Sequence, residues 1–202
     1  TDFASLLLGL TPLFVPKTIV TNGSAMLDYY RENRIQATDG TPAHLQLIAA
    51  AGDVSGIELR HLLIGGEGLS AAVADQLMTL FKEAGAAPRL TNVYGPTETC
   101  VDASVHPVLP NEGIGNQAAY VPIGKALGNA RLYVLDKHKQ LQPDGTVGEL
   151  YIAGDGVGRG YLNMPEVTAE KFSLDPFSRS GNMYRTVDTD TGCLLSAALA
   201  RR

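Results

Sequence analysis

Two short apolar runs, each stopped by glycine and separated by one helical pattern, constrain this chain more than any other feature. Leu59 to Ile64 runs into Gly65-Gly66, the pattern of a buried strand that ends in a tight turn. Ser70 then opens an amphipathic stretch with Val73, Leu77, Leu80 and Phe81 on one face, and Gly85 is well placed to end it. Leu90 to Tyr94 is a second buried strand, running into Gly95-Pro96. Strand, helix, strand in this order implies parallel pairing, with loops gathered at the carboxyl ends of the strands. Upstream, Ser24 is placed to cap a helix carrying Met26, Leu27 and Tyr30. Thr41-Pro42 reads as the N-cap and first turn of another, leading into Leu45, Leu47 and Ile48.

The second half has a different texture. Arg131 to Asp136 and Val147 to Ala153 read as strands joined through the turn signal Pro143-Asp144-Gly145. A glycine-rich run, Gly154 to Gly160, follows, and Pro165 to Phe172 has the pattern of one short helix. Polar residues from Asn116 to Tyr120 separate the two textures. The expected architecture is therefore α/β. A partial parallel sheet with flanking helices (residues 1–118) is followed by a β-rich, barrel-like subdomain (119–202), whose tail from 189 onward is atypical.

Charge and composition narrow the function classes. The 202 residues carry a net charge of −5 with no basic block, so the electrostatic footprint of a nucleic-acid-binding protein is absent. No apolar run approaches the roughly 20 residues that span a membrane, and Leu6 to Leu10 has no basic segment before it. The two cysteines, Cys100 and Cys193, are too far apart to suggest a zinc or disulfide framework, which fits a reducing cytoplasm. The first residue is Thr1 rather than methionine, so a natural start farther upstream is expected.

Neither of the usual phosphate-binding glycine signatures is met. The Gly154–Gly160 run misses G-x-G-x-x-G because position 161 is Tyr, and Ile123-Gly124-Lys125-Ala126 lacks both the earlier glycine and the Ser/Thr of a P-loop. Structural glycines in turns are the expected explanation. Asn92-Val93-Tyr94-Gly95-Pro96-Thr97-Glu98-Thr99 is different, because Gly95 and Pro96 force a turn directly after a buried strand. Thr97 and Glu98 are then presented at the carboxyl end of the sheet, where α/β proteins bind ligands. A carboxylate there can hold Mg²⁺, a hydroxyl can donate to a phosphate oxygen, and a tyrosine offers a flat face to a base. An ordinary loop with a surface glutamate is the other reading of the same residues.

The string NVYGPTET resembles the most recognisable core motif of the adenylation domains of nonribosomal peptide synthetases, within the adenylate-forming ligases. Pro122-Ile123-Gly124-Lys125, Gly148-Glu149-Leu150-Tyr151-Ile152-Ala153-Gly154, Arg159-Gly160-Tyr161 and Tyr184-Arg185-Thr186 follow in that family's order and spacing, and PEVTAEKF (165–172) matches as well. The resemblance runs over roughly 1–188. It implies activation of a carboxylic acid with ATP to an acyl-adenylate and pyrophosphate, then transfer to a carrier-protein phosphopantetheine thiol. It implies that Tyr94 stacks on adenine, that Asn92 bonds the adenine amino group, and that Gly66, Glu67, Gly68 and Gly95 line the nucleotide. Thr97 is then expected near the phosphates, Glu98 on Mg²⁺, and Asp188 on the ribose. Thr97 and Glu98 are the expected catalytic pair, acting by positioning and charge neutralisation rather than as nucleophiles. Cys100 is expected to be a small packing residue.

The family's substrate pocket maps onto Ala4, Leu7, Asp39, Leu63, Gly65, Val93, Val101 and Asp102, with Ser5 and Pro12 anchoring the first segment. Two aspartates in one pocket are costly to bury without a donor or cation, so they point to a polar substrate side chain. The combination is similar to pockets associated with glutamate or glutamine. An amide suits the two carboxylates because it donates hydrogen bonds, whereas glutamate needs a shared proton or a cation. Phe3 stands where the family usually places the aspartate that pairs with an α-amino group, with Asp2 one position earlier. A shift of register by one keeps amino-acid specificity, and loss of that ion pair favours a keto, hydroxy or other acid.

The family's phosphate loop with its lysine and the lysine-bearing lid domain are not found in the 202 residues. Val187 stands where the family has glycine, and the family pattern is lost after Asp188. A stretch from inside a longer synthetase is expected, neighboured by carrier and condensation domains and inactive in adenylation by itself. An acyl-CoA or aryl-acid ligase is the enzymatic alternative, although Val101 to Pro107 favours the synthetase branch. A catalytically silent binding module of the same fold is the other.

Overall fold

The computed structural model describes residues 6–109, 119–178 and 181–186. Its first unit is a five-stranded sheet with helices packed on one face. Helix α1 (Gly23–Glu32) leads into β1 (Ala37–Gly40), and α2 (Pro42–Ala51) crosses to β2 (His61–Ile64). Helix α3 (Ala71–Glu83) then crosses to β3 (Arg89–Tyr94), and β4 (Ser104–Val108) and β5 (Lys125–Ala126) complete the order β1-β2-β3-β4-β5. The first three strands are parallel, as the strand–helix–strand pattern requires, and β4 and β5 are added antiparallel. β5 joins this sheet from beyond position 118, so strand pairing crosses the division between the two sequence textures.

The local signals mostly act where they stand. Thr41 precedes Pro42 at the start of α2, and its backbone N–H donates to Nδ1 of His44 at 3.1 Å. α3 starts after Ser70 and is closed by Gly85 at φ +75°. The cap of α1 differs from expectation: Asn22, not Ser24, accepts from the Ala25 N–H at 3.0 Å. The helix therefore begins at Gly23, a position pressed against the Leu47 backbone of α2, where a side chain has no room.

Strand register sorts the residues onto two faces. Thr38, Leu62, Leu90 and Val108 form one cross-strand row, with Leu62 and Leu90 each 0% exposed beneath the helices. Met26, Leu27, Leu45, Ile48, Leu77 and Phe81 close the core over that face. Burying a side chain of this size contributes about 1.5–3 kcal/mol, so this packing fixes the register. The neighbouring row, Asp39, Leu63, Thr91 and Pro107, necessarily points to the opposite face.

The second unit is antiparallel. β6 (Ala130–Leu135), β7 (Glu149–Gly154), β8 (Phe172–Leu174) and β9 (Asn182–Arg185) form a four-stranded sheet in the order β6-β7-β9-β8, with the short helix α4 (Pro165–Lys171) between β7 and β8 in the chain. Its two outer strands are drawn together by one polar cluster. Asp175, just past β8, accepts from Arg131 Nη2 and Tyr133 Oη of β6, both at 3.1 Å, and from the Phe177 backbone N–H at 2.9 Å. Tyr133 and Phe177 pack ring to ring at 4.9 Å in the same place. This tie joins the two outer strands across the sheet.

Candidate functional site

The carboxyl ends of β1, β2 and β3 converge on one edge of the first sheet, and the candidate site is built there. β1 ends at Gly40, β2 runs into Gly65 to Gly68, and β3 runs through Gly95 and Pro96 into a single 3₁₀ turn, Thr97–Thr99. Gly66, Glu67, Gly68 and Thr97 are exposed at this edge. Thr99 is buried and donates its hydroxyl to the Pro96 carbonyl at 3.1 Å, which pins the turn.

Four of the predicted side-chain-selecting positions share one face. Asp39 pairs with Leu63 in register, and Leu63 with Thr91, so all three stand on the face turned away from the helices. Gly65 and Val93 lie one row farther on the same face, and a Cβ at Gly65 would sit 2.5 Å from the Val93 carbonyl oxygen. Any larger residue at position 65 would push Val93 aside. Asp39 is exposed, and Leu63 and Val93 are half-buried.

The remaining predicted positions fall elsewhere. Leu7 is 88% exposed at the start of the described chain. Val101 and Asp102 lie in the loop after the 3₁₀ turn, where Cys100 and Val101 both adopt positive φ and the chain folds back on Gly95. Asp102 lines a cavity of about 410 Å³ with Thr99, Asn129, Ala130 and Asp155, between the turn and the second sheet. Asp39 does not line that cavity, so the two aspartates are not brought together there. Ala4 and Asp188 lie outside the described residues, as do Asp2, Phe3 and Ser5.

Asn92 has a role that its sequence position did not announce. It is 4% exposed, on the helix-covered face, and its amide donates to the carbonyl oxygens of Val121 (3.3 Å) and Pro122 (2.9 Å). Those bonds tie the segment leading to β5 onto β3. Tyr94 is half-buried against a small core formed by Ile123, Leu132 and Ile152, which links the two units beside the site.

Glu98 is held from the second unit. The Tyr161 hydroxyl donates to Glu98 Oε1, and the Gly158 N–H donates to the Glu98 carbonyl at 2.8 Å. Burial pushes the Glu98 carboxyl up, but hydrogen bonds from Tyr161, from its own backbone N–H and from Tyr184 outweigh burial and leave it below its ordinary value. Glu98 is therefore ionised at neutral pH. Tyr161 is raised, first by its bond to Glu98 and then by burial, and Tyr184 is raised strongly, first by burial. Both phenols stay protonated and can donate. The Gly154–Gly160 run is thus a packing segment laid along the 3₁₀ turn, as expected of structural glycines.

A lone ionised carboxylate beside an exposed hydroxyl fits Mg²⁺ in one mode. Among the described residues no group of three or more His, Cys, Asp or Glu could hold a metal. Mg²⁺ commonly uses one or two carboxylates and completes its shell with waters and substrate phosphates. Glu98 and Thr97 suit an ion that arrives with a polyphosphate rather than one caged by protein.

A family model described as AMP-binding enzyme matches residues 3–162. The chain belongs to the AMP-binding enzyme family. The chain is 70% identical over 186 residues to surfactin synthase subunit 1 of Bacillus subtilis (strain 168), covering 92% of the chain and 5% of that protein. It is 42% identical over 188 residues to bacitracin synthase 1 of Bacillus licheniformis, covering 92% of the chain and 4% of that protein. The crystal structure of a holo four-domain nonribosomal peptide synthetase bound to AMP and glycine superposes with a TM-score of 0.72 at 34% identity, over 85% of this chain and 12% of that one. The chain therefore spans about a twentieth of the length of these known synthases. Among the described residues no helix is long and apolar enough to cross a membrane.

Proposed function

We propose that this stretch supplies the adenine-, magnesium- and side-chain-recognising elements of a cytoplasmic adenylation domain. That domain activates glutamine or glutamate as an aminoacyl-adenylate for a carrier-protein phosphopantetheine thiol, next to carrier and condensation domains of one synthetase. The observation that carries the reading is the placement of Asp39, Leu63, Gly65 and Val93 on one sheet face whose edge ends at Glu98.

In this reading Tyr94, Asn92 and Gly66 to Gly68 receive the adenine, Gly95 lets the chain turn beneath it, and Asp188 grips the ribose. Thr97 donates to a phosphate oxygen, and Glu98 binds the ion that accompanies the phosphates. Mg²⁺ held by Glu98 would supply positive charge to offset that of the polyphosphate. Thr97 and Glu98 act by holding the phosphates in line with the attacking carboxylate, so catalysis is positional and electrostatic. By resemblance to the family, Ala4, Leu7, Val101 and Asp102 are assigned to the same substrate pocket. Gly65 keeps the pocket floor open over Val93, and Asp39 receives the polar end of the substrate side chain. The solved relative, whose structure holds AMP and glycine, supports a nucleotide and an amino acid as the ligands.

The test is amino-acid-dependent ATP–pyrophosphate exchange by a complete adenylation domain containing this stretch. Glutamine or glutamate is expected to exceed leucine and phenylalanine by at least about tenfold, since an apolar side chain would take water from the exposed Asp39 carboxylate without giving it a hydrogen bond. Preference for an apolar amino acid, or for a keto or hydroxy acid, would contradict the substrate assignment.

A further inference from the structure

We propose that Tyr161 is a positioning residue for Glu98, holding its carboxylate in the orientation from which it meets the magnesium ion brought by ATP. The inference rests on the reading of Glu98 given above and extends it to a residue 63 positions away.

A glutamate at the edge of a turn has freely rotating side-chain torsions, and ordering it on ligand binding costs free energy. Here that ordering is already present. The Tyr161 hydroxyl donates to Glu98 Oε1, and a carboxylate with about four lone-pair sites keeps the rest for another partner. Tyr161 is itself fixed. Its backbone N–H donates to Thr168 Oγ1 at 2.9 Å, and its ring meets Phe172 edge to face, with centroids 5.5 Å apart at 78°. Phe172 in turn packs on Tyr184 at 5.1 Å, and Tyr184 adds a second phenol toward Glu98. Gly160, at φ +133°, leaves no room for a side chain against Thr168, so glycine lets the chain pass close to Thr168 just before Tyr161. The main chain of Glu98 is held by the same segment, through the Gly158 N–H at 2.8 Å. A phenol that only filled space would not need its hydroxyl on the one ionised carboxylate of the turn.

The experiment is a titration of the full chain with ATP, followed by NMR, once with excess Mg²⁺ and once with EDTA. The quantity read is the Mg²⁺ enhancement of ATP affinity. Tyr161→Phe is expected to lower that enhancement about tenfold, the lower end for partners that orient metal ligands, with metal-free affinity unchanged. If Tyr161→Phe loses its native spectrum, Thr168→Val, which frees the Tyr161 backbone while sparing the phenol, is expected to lower the enhancement in the same direction by less. An unchanged enhancement, or an equal fall with and without Mg²⁺, overturns the inference. If the parent shows an enhancement that Glu98→Gln abolishes, the Glu98 reading survives that failure. If the parent shows none, the Glu98 reading falls and this inference with it.

Discussion

Replacing Glu98 with glutamine in a complete adenylation domain is expected to lower the rate of ATP–pyrophosphate exchange about a hundredfold while leaving the fold intact. Glutamine has the shape of glutamate, and its carbonyl oxygen can still accept from Tyr161, so the tie to the second unit survives. What is lost is the negative charge, which is held ionised below the ordinary carboxylate value by its donors. Removing one oxyanion-hole donor typically costs about 10²–10³ in rate, and a loss at the low end of that range is expected for removing the carboxylate that holds a charge-neutralising ion. The loss should fall mainly on kcat, because Glu98 acts through the ion and not on the amino-acid side chain. Exchange kinetics at saturating ATP, with thermal unfolding as the fold control, measure this. Exchange within about twofold of the parent would remove Glu98 from the chemistry.

The second large effect concerns stability. Arg131→Leu is expected to destabilise the chain by about 3 kcal/mol, because it strands the Asp175 carboxylate. The Asp175 side chain is 0% exposed, whereas that of Arg131 is 41% exposed. The cost therefore falls short of the roughly 5 kcal/mol reached by fully buried pairs, since water already screens the guanidinium. Tyr133 and the Phe177 N–H continue to donate to Asp175, but they bring no charge. Adding Asp175→Asn to Arg131→Leu should recover part of the loss, since the neutral amide is cheaper to bury than an unpaired charge. Urea unfolding of the parent, both single variants and the double variant measures the coupling. A change below about 0.5 kcal/mol in Arg131→Leu would mean that the cross-sheet tie is not a stabilising element.

The legible parts of this fold are those whose signals are local. β2, α3 and β3 are announced by apolar runs stopped at Gly65, Gly85 and Gly95, and their order alone fixes parallel pairing. β1 was not legible, because Ala37-Thr38-Asp39-Gly40 has no apolar run and is a strand only by pairing with β2. β4 contains Pro107, which usually argues against a strand. It is tolerated because β5 pairs only with Ser104 and Val105, so Pro107 lies past the end of that ladder. The cap of α1 moved from Ser24 to Asn22 because the close approach of Gly23 to Leu47 is a tertiary fact.

The candidate site divides in the same way. Glu98 and Thr97 were placed by a turn that Gly95 and Pro96 dictate, and Asp39, Leu63, Gly65 and Val93 share a face by register. The hold of Tyr161 on Glu98 was not legible: both residues stand in motif strings, but nothing local says that the strings touch. The use of the Asn92 amide on Val121 and Pro122 was hidden for the same reason, since its partners are 29 and 30 residues away.

In the proposed function ATP lies along the carboxyl edge of β1 to β3, with its phosphates at Glu98. Backbone amide shifts of the full chain, titrated with ATP and Mg²⁺, test it most directly. Shifts at Gly66, Glu67, Gly68, Tyr94, Thr97 and Glu98, with Leu90 and the α3 core unmoved, are the predicted result. Shifts confined to Gly154–Gly160 or to the cavity at Asn129 and Asp155 would contradict it.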